Sequence, residues 1–306
     1  MSEAVMEPVP AASLLGDLFH ITRFHIICIA CLACLTFGWL FSGTQLWLAV
    51  ALCAVDWFIV NLVNRVADLA EDRANGITGT DLIAKHGRFF EWFCLLLLPG
   101  FLLAVHLFEP RLTLLRVVFH AIGLAYNYRL LPAPKGRTRF KETYFFKNFS
   151  SAVLFILSTQ LYPLAISGKS VPLPYLAALV GFFLPLEMTY EIFYDLRDIV
   201  GDAAERVPTF PVVHGARVSH LIIWALLAMS AASLVAGGLG GVLGLKETCL
   251  IGGVVQQALY FHLRIAREAT AARCIFVTWL GAAQILSYNL WIWAGLPTDL
   301  AGFGIH

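Results

Sequence analysis

Long apolar runs alternate with short polar connectors along the chain. Nine runs of roughly 20 mostly apolar residues, the length a helix needs to cross a bilayer, cover 22–42, 45–66, 89–108, 111–127, 145–165, 173–194, 218–240, 245–265 and 274–295. The fourth is short and carries Arg116 and His120. None shows the apolar/polar alternation of barrel strands, which disfavours a closed β-barrel. The pattern predicts an all-α polytopic membrane protein, with about nine transmembrane helices in one bundle. It divides the chain into an N-terminal tail over 1–21, a membrane domain over 22–295 and a short C-terminal tail over 296–306. The first 17 residues have no basic start and no early apolar core, so they read as a tail and not as a cleaved signal.

Composition agrees with this. Of 306 residues, 59% are apolar and 13% charged, against roughly 45–50% and 25% in soluble domains. The mean hydropathy is +0.77. These values argue against a water-soluble globule and against disorder. A net charge of +1 provides no field to draw the chain to nucleic acid. Where the charges sit says more. Of 21 Lys and Arg, 17 lie on the side of the N-terminus and of the loops after spans two, four, six and eight; Arg111, Arg116, Lys169 and Lys246 lie on the other. The positive-inside rule therefore places the N-terminus and the even-numbered loops in the cytoplasm. Cys28, Cys31, Cys34, Cys53, Cys94, Cys249 and Cys274 read as small apolar packing residues. Their number and spacing imply neither disulfides nor zinc. His120 and His262 read as packing residues on apolar helices. The glycines between Gly237 and Gly241 lack the Lys-Ser/Thr of a phosphate loop and read as a tight turn.

Two polar segments break the apolar pattern at the cytoplasmic ends of spans two and six. In the first, Asn64, Asp68 and Asp72 are four residues apart. At about 100° per residue they stack along one helix face, and Asp56 continues that face more deeply. In the second, Glu187, Glu191, Asp195, Asp198 and Asp202 recur at +4, +4, +3 and +4, within an arc of about 80° at that periodicity. Carboxylates crowded on one face repel one another, and ionisable groups at the edge of hydrocarbon are a functional hypothesis by default. Oxygen-only clusters suit hard divalent ions such as Mg²⁺, which takes one or two carboxylates and completes its shell with water and phosphate. Two facing clusters could clamp a diphosphate through such ions. The plainer alternative is ordinary ion pairing with Arg65, Arg73, Arg197 and Arg206. Asp56 and Glu187 could equally be hydrogen-bonded carboxyls that hold helices together.

An N-x-x-x-D-x-x-x-D motif after the second span and a D-x-x-x-D motif after the sixth resemble the UbiA superfamily of membrane prenyltransferases. The second motif continues through Gly201 and Asp202 to Thr209, Phe210, Pro211, Val212, Val213, His214 and Gly215, similar to that family's G-D…T-L-P-V-x-x-G stretch. The resemblance covers nearly the whole chain. It implies a central cavity open to the cytosolic side, with Asn64, Asp68 and Asp72 as the first diphosphate–Mg²⁺ motif and Asp198 and Asp202 as the second. Asp68, Asp72, Asp198 and Asp202 would be the metal ligands. Asp195 would be an additional acid, with Glu191 a turn deeper. The chain departs from the family in having Arg65 where Asp often follows the motif Asn. It also has Arg23-Phe24-His25 where Arg-Pro is common.

The implied reaction is Mg²⁺-dependent transfer of a prenyl group from a prenyl diphosphate to a small-molecule acceptor. That acceptor is most commonly aromatic in the family, of the hydroxybenzoate or quinone-precursor type. Cationic side chains would share the diphosphate; the candidates are Lys147 beside Asn148, Arg23, and a base near Tyr126 among Arg129, Lys135, Arg137, Arg139 and Lys141. Arg137 stands for that loop in the expected set. Tyr194 and Tyr190 lie beside the acidic face, where aromatic rings can stabilise a cation or serve as an interfacial belt. The remaining partner is membrane lipid. Two rivals use the same residues. A cation-coupled transporter also needs intramembrane acids, but at the midplane of broken helices. A terpene cyclase of the same superfamily would ionise the donor without a separate acceptor.

Overall fold

The computed structural model describes residues 14–134, 136–264 and 269–299. Most of the expected tails at 1–21 and 296–306, and Lys135, lie outside the described residues. The helices are α1 Leu14–Ile21, α2 Phe24–Ser42, α3 Trp47–Ala67, α4 Leu69–Ala74, α5 Thr80–Phe108, α6 Thr113–Asn127, α7 Phe146–Ile156, α8 Tyr162–Ser167, α9 Leu173–Ala204, α10 Phe210–Leu239, α11 Leu245–Thr248, α12 Ile251–Arg264 and α13 Ala271–Trp293. A π-helical turn over Leu157–Leu161 joins α7 to α8. A small antiparallel hairpin, β1 Leu131–Ala133 and β2 Gly136–Thr138, pairs Leu131 with Thr138.

Each of the nine apolar runs folds as helix, but not all at membrane length. Among the described residues seven helical stretches are long and apolar enough to cross a membrane: α2, α3, α5, the continuous run Phe146–Ser167, α9, α10 and α13. The fourth and eighth runs form shorter helices, α6 of 15 residues and α12 of 14. Elsewhere helix outlasts hydrophobicity. The sixth apolar run ends at 194, yet α9 continues to Ala204, because an amphipathic turn needs only one apolar face to stay packed. This extension carries Asp195, Asp198 and Asp202.

Helices pack through small residues and polar bridges, as expected where lipid supplies no hydrophobic drive between them. Between α9 and α10, the Ser230 hydroxyl donates to the Phe182 carbonyl at 2.6 Å and Ser233 to Ala178 at 2.9 Å. Between α2 and α13, the Asn289 amide donates to Thr36 Oγ1 at 2.8 Å. Asp56 takes the structural role. It lies fully buried on α3 and accepts from Arg116 Nε and Nη2 of α6 at 2.9 and 2.6 Å, and from the Tyr162 hydroxyl of α8 at 2.9 Å. His120 Nε2 lies 3.0 Å from the same carboxylate, which accounts for that histidine as well. All seven cysteines are free.

The first acidic segment is not one unbroken helix. Asp68 adopts φ −105°, ψ 18° and separates α3 from α4. The four-residue hydrogen bonds survive the break, from Asp68 N to Asn64 O at 2.9 Å and from Asp72 N to Asp68 O at 2.8 Å. The three polar side chains therefore still face one way.

Candidate active site

The acidic segments meet across one cavity of about 710 Å³. Asn64, Asp68, Glu71 and Asp72 from α3 and α4 form one wall, and Glu191, Asp195 and Asp198 from α9 the other. One bond ties the two walls together. The Gly201 backbone N–H of α9 donates to Asn75 Oδ1, at the end of α4, at 3.0 Å. A Cβ at Gly201 would collide with the Asn75 side chain, so glycine is what lets α4 approach.

On the first wall, Asn64 Nδ2 donates to Asp68 Oδ2 at 2.7 Å and to Asn127 Oδ1 at 2.8 Å. Asn64 Oδ1 is buried without a partner. Lys141 Nζ donates to Asp68 at 2.5 Å and to Glu71 at 2.6 Å, and Arg139 reaches Asp68 at 3.4 Å. Arg65 Nη1 donates to both oxygens of Asp72 at 2.8 Å.

The second wall is organised by Lys147 and Asn148 at the start of α7. Lys147 Nζ donates to Asp195 at 2.9 Å and to Asp202 at 2.9 and 3.0 Å, while Asn148 Nδ2 donates to Asp195 Oδ2 at 2.7 Å. Arg197 grips its neighbour Asp198 with two donors, and its guanidinium carbon lies 4.9 Å from the centre of the Tyr194 ring. The Ser151 hydroxyl donates to Glu191 at 2.7 Å. The Tyr194 hydroxyl lies 3.1 Å from His25 Nε2 and 2.9 Å from Thr278 Oγ1. Arg23 enters the cavity from between α1 and α2 with left-handed backbone, φ 50° and ψ 50°. Asn61 steadies this bend by donating to the Thr22 carbonyl at 3.1 Å.

Of the expected residues, Asn64, Asp68, Asp72, Asp195, Asp198, Glu191, Lys147, Tyr126, Arg23 and Tyr194 line the cavity. Asp202 and Asn148 stand behind it, fully enclosed and bonded to Lys147 and Asp195. Arg137 is not brought there; it is exposed on β2. The loop bases that do reach the acids are Lys141, which is 1% exposed, and Arg139. Glu71, Asn75 and Asn127 are further members that residue spacing does not single out. Ion pairing of the acids with Arg65 and Arg197 occurs as the plainer alternative has it, but inside the cavity wall and not in solvated loops. Next to the site, Glu142 closes the hairpin. Partial burial opposes its ionisation, yet hydrogen bonds from Arg129, the Arg139 backbone and Thr138 outweigh it and hold the carboxyl at about 2.

Two further spaces adjoin this cavity and share lining residues with it. An apolar pocket of about 600 Å³ lies among Phe37, Phe182, Phe183, Leu186 and Ile285. It shares Ile29, Phe155, Glu187 and Tyr190 with the acidic cavity. A side pocket of about 450 Å³ is bounded by Trp57, Phe155, Tyr126, Arg23 and Glu191.

The donor set fits a hard cation. It is oxygen throughout, and it includes the buried, unpartnered Oδ1 of Asn64. Among the described residues no three carboxylate, imidazole or thiol groups converge enough to hold a metal alone. Mg²⁺ needs only one or two carboxylates and fills the rest of its octahedron from water and phosphate.

Comparison with known proteins agrees with this geometry. No curated protein sequence matches the chain. The model of the UbiA prenyltransferase family matches residues 24–281. Among solved structures, a UbiA homologue from Archaeoglobus fulgidus bound to GPP and Mg²⁺ superposes with a TM-score of 0.69 at 16% identity, covering 90% of this chain and 98% of that one. An apo UbiA homologue from Aeropyrum pernix K1 gives 0.60 at 16% identity over 86% and 96%. A structure of digeranylgeranylglyceryl phosphate synthase gives 0.56 at 17% identity over 90% and 96%. With a family match over most of its length and a shared all-α fold, the chain is an integral, multi-pass membrane protein that belongs to the UbiA prenyltransferase family.

Proposed function

We propose that the chain transfers a prenyl group from a prenyl diphosphate to an aromatic acceptor, with Mg²⁺, at a site facing the cytoplasm. The observation that carries this reading is the join between an oxygen-lined cavity and an apolar pocket across shared residues. A prenyl diphosphate has that same division, an anionic head on an apolar tail. The excess of Lys and Arg on the side of the acidic helix ends supports the cytoplasmic orientation.

Asp68, Asp72 and Asp198, with the free oxygen of Asn64, would hold the metal. When bound, Mg²⁺ supplies positive charge to the leaving diphosphate. Lys147 lines that space and would donate to the phosphate oxygens, as charge-assisted donors do, while Lys141 holds Asp68 and Glu71 in place. Asp202, behind Lys147, orients that ammonium. As the allylic C–O bond breaks, the electron pair leaves with the diphosphate and C1 of the chain becomes electrophilic. The apolar walls at Ile29 and Phe155 keep water from this carbon, and the rings of Tyr190 and Tyr194 offer their faces to the positive charge.

The side pocket suits the acceptor. Trp57 and Phe155 lie 4.3 Å apart between ring centres and provide flat apolar surface for an aromatic ring, with Arg23 for an anionic substituent. Glu191, held by Ser151, is placed to take the proton that the acceptor loses when the new carbon–carbon bond forms. A hydroxybenzoate or quinone precursor has this chemistry.

The test is reconstitution in liposomes with a panel of prenyl diphosphates and acceptors, read by mass spectrometry. Wild type should join the two in Mg²⁺-dependent fashion, while Asp68→Ala and Asp198→Ala should release no diphosphate. Full activity in either variant refutes the site. A cyclised hydrocarbon with no acceptor attached would favour the cyclase reading, and cation flux without prenyl substrate the transporter.

A further inference from the structure

Asn64 has an amide whose two ends differ in chemistry, and the site needs one end and not the other. The Nδ2 end donates and would repel a cation, whereas Oδ1 accepts. What decides which end meets the ligand lies one helix away. Asn127, the last residue of α6, donates from its own Nδ2 to the Gly123 carbonyl at 2.9 Å. Reversing the Asn127 amide would set its oxygen against that carbonyl, acceptor to acceptor. Its Oδ1 must therefore face Asn64, where it lies 2.8 Å from Asn64 Nδ2. The second hydrogen of Asn64 Nδ2 goes to Asp68 at 2.7 Å. Both donors are thus committed, and the buried, unpartnered Oδ1 is the end left for the ligand.

The approach of α6 to α3 that permits this depends on Gly123. A Cβ there would stand 2.8 Å from Val60 Cγ2 of α3. One turn on from this close contact, Asn127 is brought within reach of Asn64. Asn127 is 3% exposed and faces a small pocket between α3, α5 and α6, shared with His120 and Gly123. It lines neither the acidic cavity nor the side pocket.

We propose that Asn127 is a positioning residue that orients the Asn64 amide so that its oxygen, and not its nitrogen, is offered to a divalent cation. The inference rests on the reading of the acidic cavity as a cation–diphosphate site. It assigns to α6 a part in cation binding without any contact with the ion.

The experiment uses full-length protein in detergent with inorganic diphosphate, and measures Mn²⁺ binding by electron paramagnetic resonance. Asn127→Leu removes the acceptor and frees the Asn64 amide to turn. Outer-shell losses of this kind weaken metal binding about 10–100-fold, and a drop of at least about tenfold is expected here. Turnover at saturating metal should fall much less, since no group touching the substrate is lost. Asn127→Asp keeps an oxygen acceptor for Asn64, although its second oxygen meets the Gly123 carbonyl, and should retain clearly more Mn²⁺ affinity than Asn127→Leu. Unchanged affinity in Asn127→Leu, or an equal loss in both variants, overturns the role of Asn127 while leaving the cation site standing. A wild type that binds no Mn²⁺ overturns both.

Discussion

Lys141 serves two carboxylates with one ammonium group, and its removal should be among the costliest single changes in the protein. Its side chain is 1% exposed, and those of Asp68 and Glu71 are 6% and 11%. Lys141→Met preserves the length of the stem and its packing but takes the ammonium from Glu71 and leaves Asp68 with Arg139 alone, at 3.4 Å. Breaking a buried ion pair by removing one partner costs about 3–5 kcal/mol. At about 2 °C per kcal/mol for a chain of this size, the melting temperature should fall by roughly 6–10 °C. The assay is thermal unfolding in detergent, followed by circular dichroism at 222 nm for wild type, Lys141→Met and Lys141→Arg. The arginine variant keeps the charge and should lose less than half as much. A methionine variant melting within about 2 °C of wild type would show that this ammonium contributes no net stability, and would refute the argument.

Other outcomes follow from neighbouring features. Gly281 of α13 faces Tyr190 and Ile29, both shared by the acidic cavity and the apolar pocket, and an added Cβ would press on the Tyr190 hydroxyl. Gly281→Ala should narrow that passage and shift donor preference towards shorter chains, measured as the ratio of kcat/KM for two prenyl diphosphates; an unchanged ratio would place the chain elsewhere. Asp56→Leu strands the buried Arg116 and should lower stability by about 3–5 kcal/mol, read by urea unfolding, with specific activity of the folded fraction unchanged. Glu142 titrates at about 2 instead of its ordinary 4.5. Its contribution is complete above the higher value and disappears as pH falls through the lower one. Proteolytic nicking at the hairpin should therefore rise as pH drops from 4.5 towards 2, and a Glu142→Gln variant should lack that dependence.

Spacing alone carries much of the site. Asn64, Asp68 and Asp72 recur at the helical period, as do the acids of α9, and local periodicity is the strongest signal a sequence holds. What it does not carry is set by distant contacts. The loop bases look alike because the positive-inside rule demands positive charge there whatever its use. Only the fold puts Lys141 inside and Arg137 outside. Asp202 reads as a cavity ligand on its helix face, but Lys147, 55 residues away, takes both of its oxygens. Glu71 stands three residues after Asp68, off the four-residue spacing, and it is Lys141 from a distant loop that joins the two carboxylates. Glu187 and Asp56 show both fates of a deep acid. Asp56 is consumed by Arg116 and Tyr162, whereas Glu187 lines the passage between the two main spaces.

The shortness of α6 bears on the lipid around it. Its 15 residues rise about 22 Å at 1.5 Å each, roughly 8 Å less than a hydrocarbon core of about 30 Å. The helix is not hidden by its neighbours, since Leu114, Val117 and Val118 are 72%, 46% and 37% exposed. Lipid beside this face must thin or its headgroups must dip, at fractions of a kcal/mol per Å. Because Asn127 ends this helix and bonds Asn64, strain from that mismatch has a short route to the acidic cavity, and turnover in vesicles should depend on the acyl-chain length of their lipids.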